Sequence, residues 1–163
     1  MVTTRSLGDE RQGLATGIDM LRAAAEAVEH GGWQALTQLD ECVDFLLYRL
    51  IPHLRAHGEV LYPQVERAMG APGATAAMSR DHEEIIRLTR EIVTLRDTLA
   101  GTPTRQERRA LQRALYGLHA IAHLHLAKQE ELYLPVIDSA MTKEEAERLF
   151  TRLREEADRF ARE

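Results

Sequence analysis

The sequence predicts an all-α protein, an antiparallel up-down-up-down four-helix bundle with a short extra C-terminal helix. Five stretches repeat their apolar residues at helical spacing, and no stretch sustains the alternation typical of a β-strand. The four long helices are joined by short connections, which makes consecutive helices antiparallel neighbours. The 163 residues are expected to form a single domain, with the bundle at about 9–140 and the C-terminal helix at about 142–162.

Glycines, prolines and capping patterns mark the ends of the helices. The predicted helices cover approximately Asp9–His30, Trp33–Met69, Met78–Leu99, Thr104–Asp138 and 142–162. Capping-box patterns precede three of them, at Ser6-x-x-Asp9, Thr104-x-x-Glu107 and Thr142-x-x-Glu145. Three prolines fall inside predicted helices, where each removes a backbone hydrogen bond, so we expect local distortions at Pro52, Pro63 and Pro135.

Each long helix carries a stripe of apolar residues that is expected to face the core. The predicted stripes of the first and third helices are Leu14, Ile18, Leu21, Ala25 and Val28, and Ile85, Thr89, Ile92 and Leu99. Those of the second and fourth are Leu36, Leu39, Val43, Leu46, Leu47, Leu50, Leu54 and Leu61, and Leu118, Ala122 and Leu132.

Charge and composition exclude several classes of partner. The net charge is −5 and no Lys/Arg stripe is present, so we expect no nucleic-acid partner. No apolar run approaches membrane-spanning length and no apolar leader opens the chain, so we expect neither a membrane partner nor export. Cys42, the single cysteine, cannot form an internal disulfide and is interpreted as a small buried hydrophobe. A cytoplasmic location is therefore expected.

An internal repeat relates the two halves of the chain. The segments His53–Pro63 and His125–Pro135 share a histidine, a leucine, an acidic residue and a proline at the same offsets. Such a duplication builds a site on a pseudo-twofold axis, with side chains from each half. The predicted site positions are Arg11, His53 and His57 from the first half, and His82, His125 and Gln129 from the second.

The histidines at these positions are predicted to form a metal site. His53 and His57 are four residues apart on the apolar face of their helix, and a buried imidazole without a partner costs about 1–3 kcal/mol. Any one of the four histidines alone is explained as a hydrogen-bonded core residue. Four of them at repeat-related inward positions favour a metal cluster formed by His53, His57, His82 and His125.

A second pair, His119 and His123, is also spaced by four residues but projects away from the core stripe. A surface metal site and a helix contact both remain open for this pair. We expect a solvated or interfacial pair that does not join the cluster.

Several segments carry a resemblance to a known family, namely Ile51-Pro-His53, Leu61-Tyr-Pro63, Met78-Ser-Arg-Asp-His82, Leu115-Tyr-Gly-Leu-His119 and His125–Pro135. With these segments the chain resembles the hemerythrin-like, HHE cation-binding family over roughly residues 8–150. The resemblance implies a four-helix bundle around a non-haem di-iron centre. Its ligands are one histidine each from the first and third helices, and H-x-x-x-E from the second and fourth. It also implies oxygen binding, oxygen or iron sensing, or the handling of peroxide or nitric oxide.

The ligand set that the resemblance implies is only partly present. His53, His82 and His125 match family ligands. Arg11 stands where the first-helix histidine is expected, and His57 and Gln129 stand where the two bridging glutamates are expected. A carboxylate bridges two metals and offsets their charge, whereas imidazole and amide do neither. Arg11 and Gln129 are therefore expected to lie beside the residues that bind the metal, without binding the metal themselves.

The sequence therefore predicts a remodelled site that holds one non-haem iron or zinc ion rather than a di-iron pair, for a small-molecule or diatomic ligand. An enzyme is one alternative, with His57 or His125 as acid–base and Arg11 holding an anion. A metal-free regulatory or interaction module is another, and haem held by interior histidines is less favoured. A homodimer is compatible with the sequence.

Overall fold

Five helices form the part of the chain that the structure describes. The structure is a computed structural model that describes the backbone of residues 8–163 and the side chains of residues 11–163. The helices, numbered here in chain order, are α1 (Gly8–His30), α2 (33–69), α3 (Ala76–Thr98), α4 (105–140) and α5 (Lys143–Phe160). Helix α1 packs on α2 and α4, while α3 packs on α4 and on the first part of α2. These contacts close a ring of four helices, and residues 8–163 contain no strand, which confirms the predicted all-α bundle.

Local capping chemistry sets several helix ends as predicted. Thr104 and Thr142 each accept a hydrogen bond from a backbone N–H three residues later, and the glutamates at 107 and 145 bond back to the cap. Gly70 ends α2 in the left-handed conformation at φ 61°, which glycine adopts without steric cost. The Ser6-x-x-Asp9 pattern lies outside the described residues.

Two of the helices contain wide π-helical turns. Helix α2 consists of Trp33–Phe45, a π turn at Leu46–Leu50, Ile51–Ala56, a second π turn at His57–Leu61, and Tyr62–Met69. Helix α4 consists of Arg105–Lys128, a π turn at Gln129–Tyr133, and Leu134–Ala140.

Each interior proline lies two residues after the end of one of these π turns. Pro52 follows Leu50, Pro63 follows Leu61 and Pro135 follows Tyr133. A proline has no N–H and its ring crowds the carbonyl four residues earlier, so a wider turn relieves both problems while the helix continues. The distortions predicted at the prolines therefore take the form of inserted π turns.

The apolar core is divided into two clusters. The upper cluster joins α1, the first half of α2, α3 and most of α4, and includes Leu21, Leu46 and Leu118. The lower cluster joins the end of α2, Met78 of α3, the end of α4, and α5. Helix α5 buries five residues against it, namely Ala146, Leu149, Phe150, Leu153 and Phe160. The C-terminal helix therefore covers the end of the bundle that α1 does not reach.

Two residues of the predicted stripes are exposed. The side chains of Leu47 and Leu132 are 38% and 57% exposed, although regular helical periodicity predicts both to face inward. Both lie within π turns. A π turn adds one residue to the turn and so rotates the following side chains by about 100° relative to a regular helix. This rotation turns Leu132 outward, while Tyr133 and Leu134 are buried instead.

No helix in the described part of the chain is long and apolar enough to cross a membrane.

We expect Leu46→Ala and Leu118→Ala each to lower the free energy of unfolding by about 2–5 kcal/mol, because both side chains are fully buried and their truncation leaves a cavity. Leu124→Ala is the matched control, since that side chain is 58% exposed. Urea denaturation monitored by circular dichroism measures the three variants. A loss below about 0.5 kcal/mol at both buried positions would contradict the core described above.

Candidate metal centre

A cluster of polar side chains lies between the two apolar clusters. On α2, α3 and α4, the histidines and Gln129 lie where the upper apolar cluster gives way to the lower one, and Tyr62 belongs to the lower cluster. The cluster contains the four predicted histidines together with Gln129 and a tyrosine, namely His53, His57, Tyr62, His82, His125 and Gln129. All except His82 are buried, and His82 is partly exposed. Three helices thus contribute polar groups to one level of the bundle.

His53 and His57 form the α2 side of this cluster. Their ring centroids are 3.8 Å apart and the rings meet edge to face, as expected for histidines one turn apart on the same helix face. His57 is the first residue of the π turn 57–61, and its side chain is 2% exposed.

His82, His125 and Tyr62 form a triangle of polar atoms. Nε2 of His82 lies 3.3 Å from Nε2 of His125. The phenol oxygen of Tyr62 lies 2.8 Å from Nε2 of His82 and 3.4 Å from Nε2 of His125. The two imidazoles and the phenol therefore turn their polar atoms toward one common point.

Asp81 and Lys128 orient the His125 ring. Nδ1–H of His125 donates to Oδ2 of Asp81 at 3.1 Å, and the ammonium group of Lys128 donates to the same carboxylate oxygen. A carboxylate can only accept, so Nδ1 of His125 carries the proton and Nε2 presents its lone pair to the cluster. A carboxylate behind a histidine in this way is a common arrangement for histidines that bind metals.

Burial keeps the imidazoles of His57, His82 and His125 neutral. It lowers the pKa of His57 well below its usual value, and the neighbouring His53, His125 and His82 lower it further. It lowers the pKa of His82 to about 3, with additional contributions from His125 and His53. Burial also lowers the pKa of His125 to about 4, although the hydrogen bond to Asp81 opposes this shift. Neutral imidazole is the form that binds a metal.

The same environment keeps Tyr62 protonated. Burial raises the pKa of its phenol, and the charges of Asp81 and Tyr133 raise it further.

Of the two predicted supporting residues, Gln129 is in the cluster and Arg11 is outside it. Gln129 is 5% exposed and begins the π turn 129–133. It lies beside His57 and raises the pKa of that imidazole, but by less than burial lowers it. Arg11 forms an ion pair with Glu130 at 2.8 Å, and its side chain is 39% exposed. The positive charge of Arg11 therefore lies outside the cluster. Arg11 is also not placed to hold an anion beside the histidines.

The residues of the cluster fit a metal in chemistry, but the histidines alone do not form a complete ligand set. Nδ1 of His57 and Oε1 of Gln129 are buried and have no hydrogen-bond partner among residues 11–163. Both atoms are therefore available to bind a metal. Neutral imidazoles suit zinc and iron. Within the same residues, however, no three His, Cys, Asp or Glu side chains are arranged to hold an ion.

Tyr62 is the residue of this cluster that sequence periodicity misses. On a regular helix, Tyr62 lies about 140° around from His57 and so off the predicted stripe. The π turn 57–61 reduces this angle to about 40°. Within it, the backbone N–H of Tyr62 donates a hydrogen bond to the carbonyl of His57, five residues earlier. The available signal is Pro63, because an interior proline requires such a distortion just before it.

The other predicted sites do not join the cluster. His119 and His123 stack at 6.0 Å on the outer side of α4, and His119 lies 3.7 Å from Asp19. Cys42 is fully buried within the upper apolar cluster, and burial raises the pKa of its thiol to about 12.

The lowered pKa values predict acid sensitivity for the protein freed of metal by a chelator. The unfolded chain binds protons near pH 6.5 while the buried imidazoles resist them, so the free energy of unfolding should be constant above about pH 6.5 and fall toward pH 4. Each such group contributes up to about 1.4 kcal/mol per pH unit in this interval.

Urea denaturation at a series of pH values measures this dependence. His125→Gln should make it shallower, while His123→Gln, at an exposed position, should leave it unchanged. A free energy of unfolding that stays constant down to about pH 4.5 would contradict the burial described here.

The family model described as the hemerythrin HHE cation binding domain matches residues 4–137. No curated protein matches the chain, and no solved structure does. The matched range covers most of the chain and includes all four clustered histidines and Tyr62. The all-α bundle, the histidine cluster in its interior and this match lead to one conclusion: the chain belongs to the hemerythrin HHE cation-binding family.

Proposed function

We propose that this protein binds a single non-haem transition metal ion, iron in preference to zinc, in the histidine cluster, and uses it to bind or sense a small or diatomic ligand. The observation that carries the proposal is that four imidazoles from α2, α3 and α4 lie at one level of the bundle interior, and that burial keeps those of His57, His82 and His125 neutral. The four imidazoles are those of His53, His57, His82 and His125. The family supplies the expectation that a cation binds.

The donor chemistry supports a transition metal over a hard cation. Ca²⁺ and Mg²⁺ prefer carboxylate and carbonyl oxygens, whereas imidazole nitrogen suits iron and zinc. Asp81, a carboxylate in contact with the cluster, is engaged by His125 and Lys128. It therefore acts through His125, by holding the ring, rather than as a donor of its own.

The charge of the cluster supports one ion rather than two. Two unit charges about 4 Å apart repel by about 4 kcal/mol at an effective dielectric constant of 20, and two divalent ions repel several times more strongly. Carboxylate bridges offset this repulsion in the family pattern. His57 and Gln129 occupy the bridging positions here and carry no negative charge.

Ligand binding is supported by the partial exposure of His82. It is the one histidine of the cluster that is not buried, and we propose that a small molecule approaches the imidazoles from the side of α3. Iron held by fewer than six protein atoms keeps coordination positions open to a small ligand. When bound, such an iron would also supply one-electron chemistry.

Elemental analysis of the purified protein after incubation with ferrous or zinc salts, followed by desalting, tests the proposal. We expect close to one ion per chain, and a large loss in His82→Gln because one imidazole of the cluster is removed. His123→Gln is the matched control, at an exposed position of α4, and should retain the metal. Wild-type protein that retains no transition metal would refute the proposal and favour a metal-free interaction module.

The stoichiometry gives a second prediction. His57→Glu combined with Gln129→Glu restores two carboxylates inside the cluster, so the variant should bind more than one ion per chain when refolded with excess iron. His123→Glu combined with Gln106→Glu makes the same two changes at exposed positions of α4 and should leave the stoichiometry unchanged.

Two irons per chain in the unmodified protein, with absorption bands of an oxo-bridged ferric pair, would contradict the single-ion proposal. A double variant that still binds one ion would show that charge at positions 57 and 129 does not limit the number of ions.

A further inference from the structure

We propose that Tyr62 is a metal ligand, and that its phenol oxygen forms one triangular face of the coordination shell together with Nε2 of His82 and Nε2 of His125. This inference rests on the single-metal function proposed above and adds to it an oxygen donor that the histidine pattern does not include.

The distances between the three atoms support this assignment. The edges of the triangle are 2.8, 3.3 and 3.4 Å. Donor atoms bound at about 2.1 Å to one ion lie about 3.0 Å apart when their bonds are at right angles and about 3.4 Å apart in a tetrahedron. The three atoms are therefore already separated by the distances that bonding to one ion requires.

The surroundings fix the triangle in place. Asp81 holds the proton of His125 on Nδ1, so Nε2 has a lone pair to offer at the triangle. Tyr62 is 3% exposed and its ring lies 6.2 Å from that of Tyr133, within the lower apolar cluster. The π turn 57–61 sets the direction in which the Tyr62 side chain leaves the helix.

The proton balance is simple. The O–H bond of the phenol breaks as the oxygen–metal bond forms, and the proton leaves to the buffer. A bound cation favours the anionic phenolate, because its charge is the largest in the site and opposes the effect of burial. One phenolate also offsets part of the metal charge, which no imidazole can do.

Ferric iron supplied as its citrate complex is the probe. Ferric iron bound by phenolate absorbs visible light by charge transfer, and resonance Raman excitation in that band reveals phenolate ring vibrations. We expect the wild-type protein to show both signals and Tyr62→Phe to lose both, since this change removes the hydroxyl and keeps the ring. We also expect Tyr62→Phe to release iron or zinc to a competing chelator at least tenfold more readily.

Tyr133→Phe is the matched control. It removes a buried tyrosine hydroxyl from the corresponding segment of α4, but that hydroxyl donates to the carbonyl of Ala74 and lies outside the triangle. The band and the metal affinity should both survive. Circular dichroism and urea denaturation of each variant confirm that it folds.

Three outcomes would overturn the inference, and they are distinguishable. Wild-type protein that holds its metal without the phenolate signals, and with the same affinity as Tyr62→Phe, leaves the proposed function standing and reduces Tyr62 to a hydrogen-bonding neighbour of the histidines. Signals that persist in Tyr62→Phe and vanish in Tyr133→Phe assign the ligand to Tyr133. Wild-type protein that retains neither iron nor zinc refutes the proposed function and this inference together.

Discussion

Two of the three helices that form the site, α2 and α4, contain a proline after a buried histidine, at Pro63 and Pro135. The way in which each helix accommodates its proline determines the rest of the site. The π turns at His57–Leu61 and Gln129–Tyr133 remove the conflict between the proline ring and the preceding carbonyl without ending the helix. Each turn begins at a predicted site residue. By adding one residue to the turn, the π turn in α2 brings Tyr62 onto the face of His57.

The polar residues of the site are kept in place by the upper and lower apolar clusters, which pack on either side of them. A buried polar group without a partner costs about 1–3 kcal/mol, so the unpartnered Nδ1 of His57 and Oε1 of Gln129 reduce the stability of the fold. The surrounding core, to which α5 contributes Phe150 and its neighbours, offsets that cost. This balance is the one expected for a binding site, where the structure keeps donor atoms in place for a ligand instead of pairing them with one another.

The family membership and the altered residues together explain the character of the site. The bundle follows the family pattern, and the resemblance in the sequence implies that His57 and Gln129 stand where carboxylates would bridge two metals. Arg11, at the remaining position, pairs with Glu130 near the surface. The interior is therefore rich in neutral nitrogen and poor in negative charge, and a phenolate at Tyr62 would supply anionic character where the bridges have been lost.

The five helices, two of the caps and the inward direction of His53, His57 and His125 can be predicted from the sequence, because these depend on local periodicity and on residues three or four positions apart. Periodicity gives the wrong direction for Leu47, Leu132 and Tyr62, because the backbone of a π turn contains one residue more than a regular helical turn. Which metal-binding atoms meet depends on the packing of the helices. The triangle of Tyr62, His82 and His125 and the outward turn of Arg11 toward Glu130 depend on how three or four helices pack, and no spacing within one helix encodes those distances.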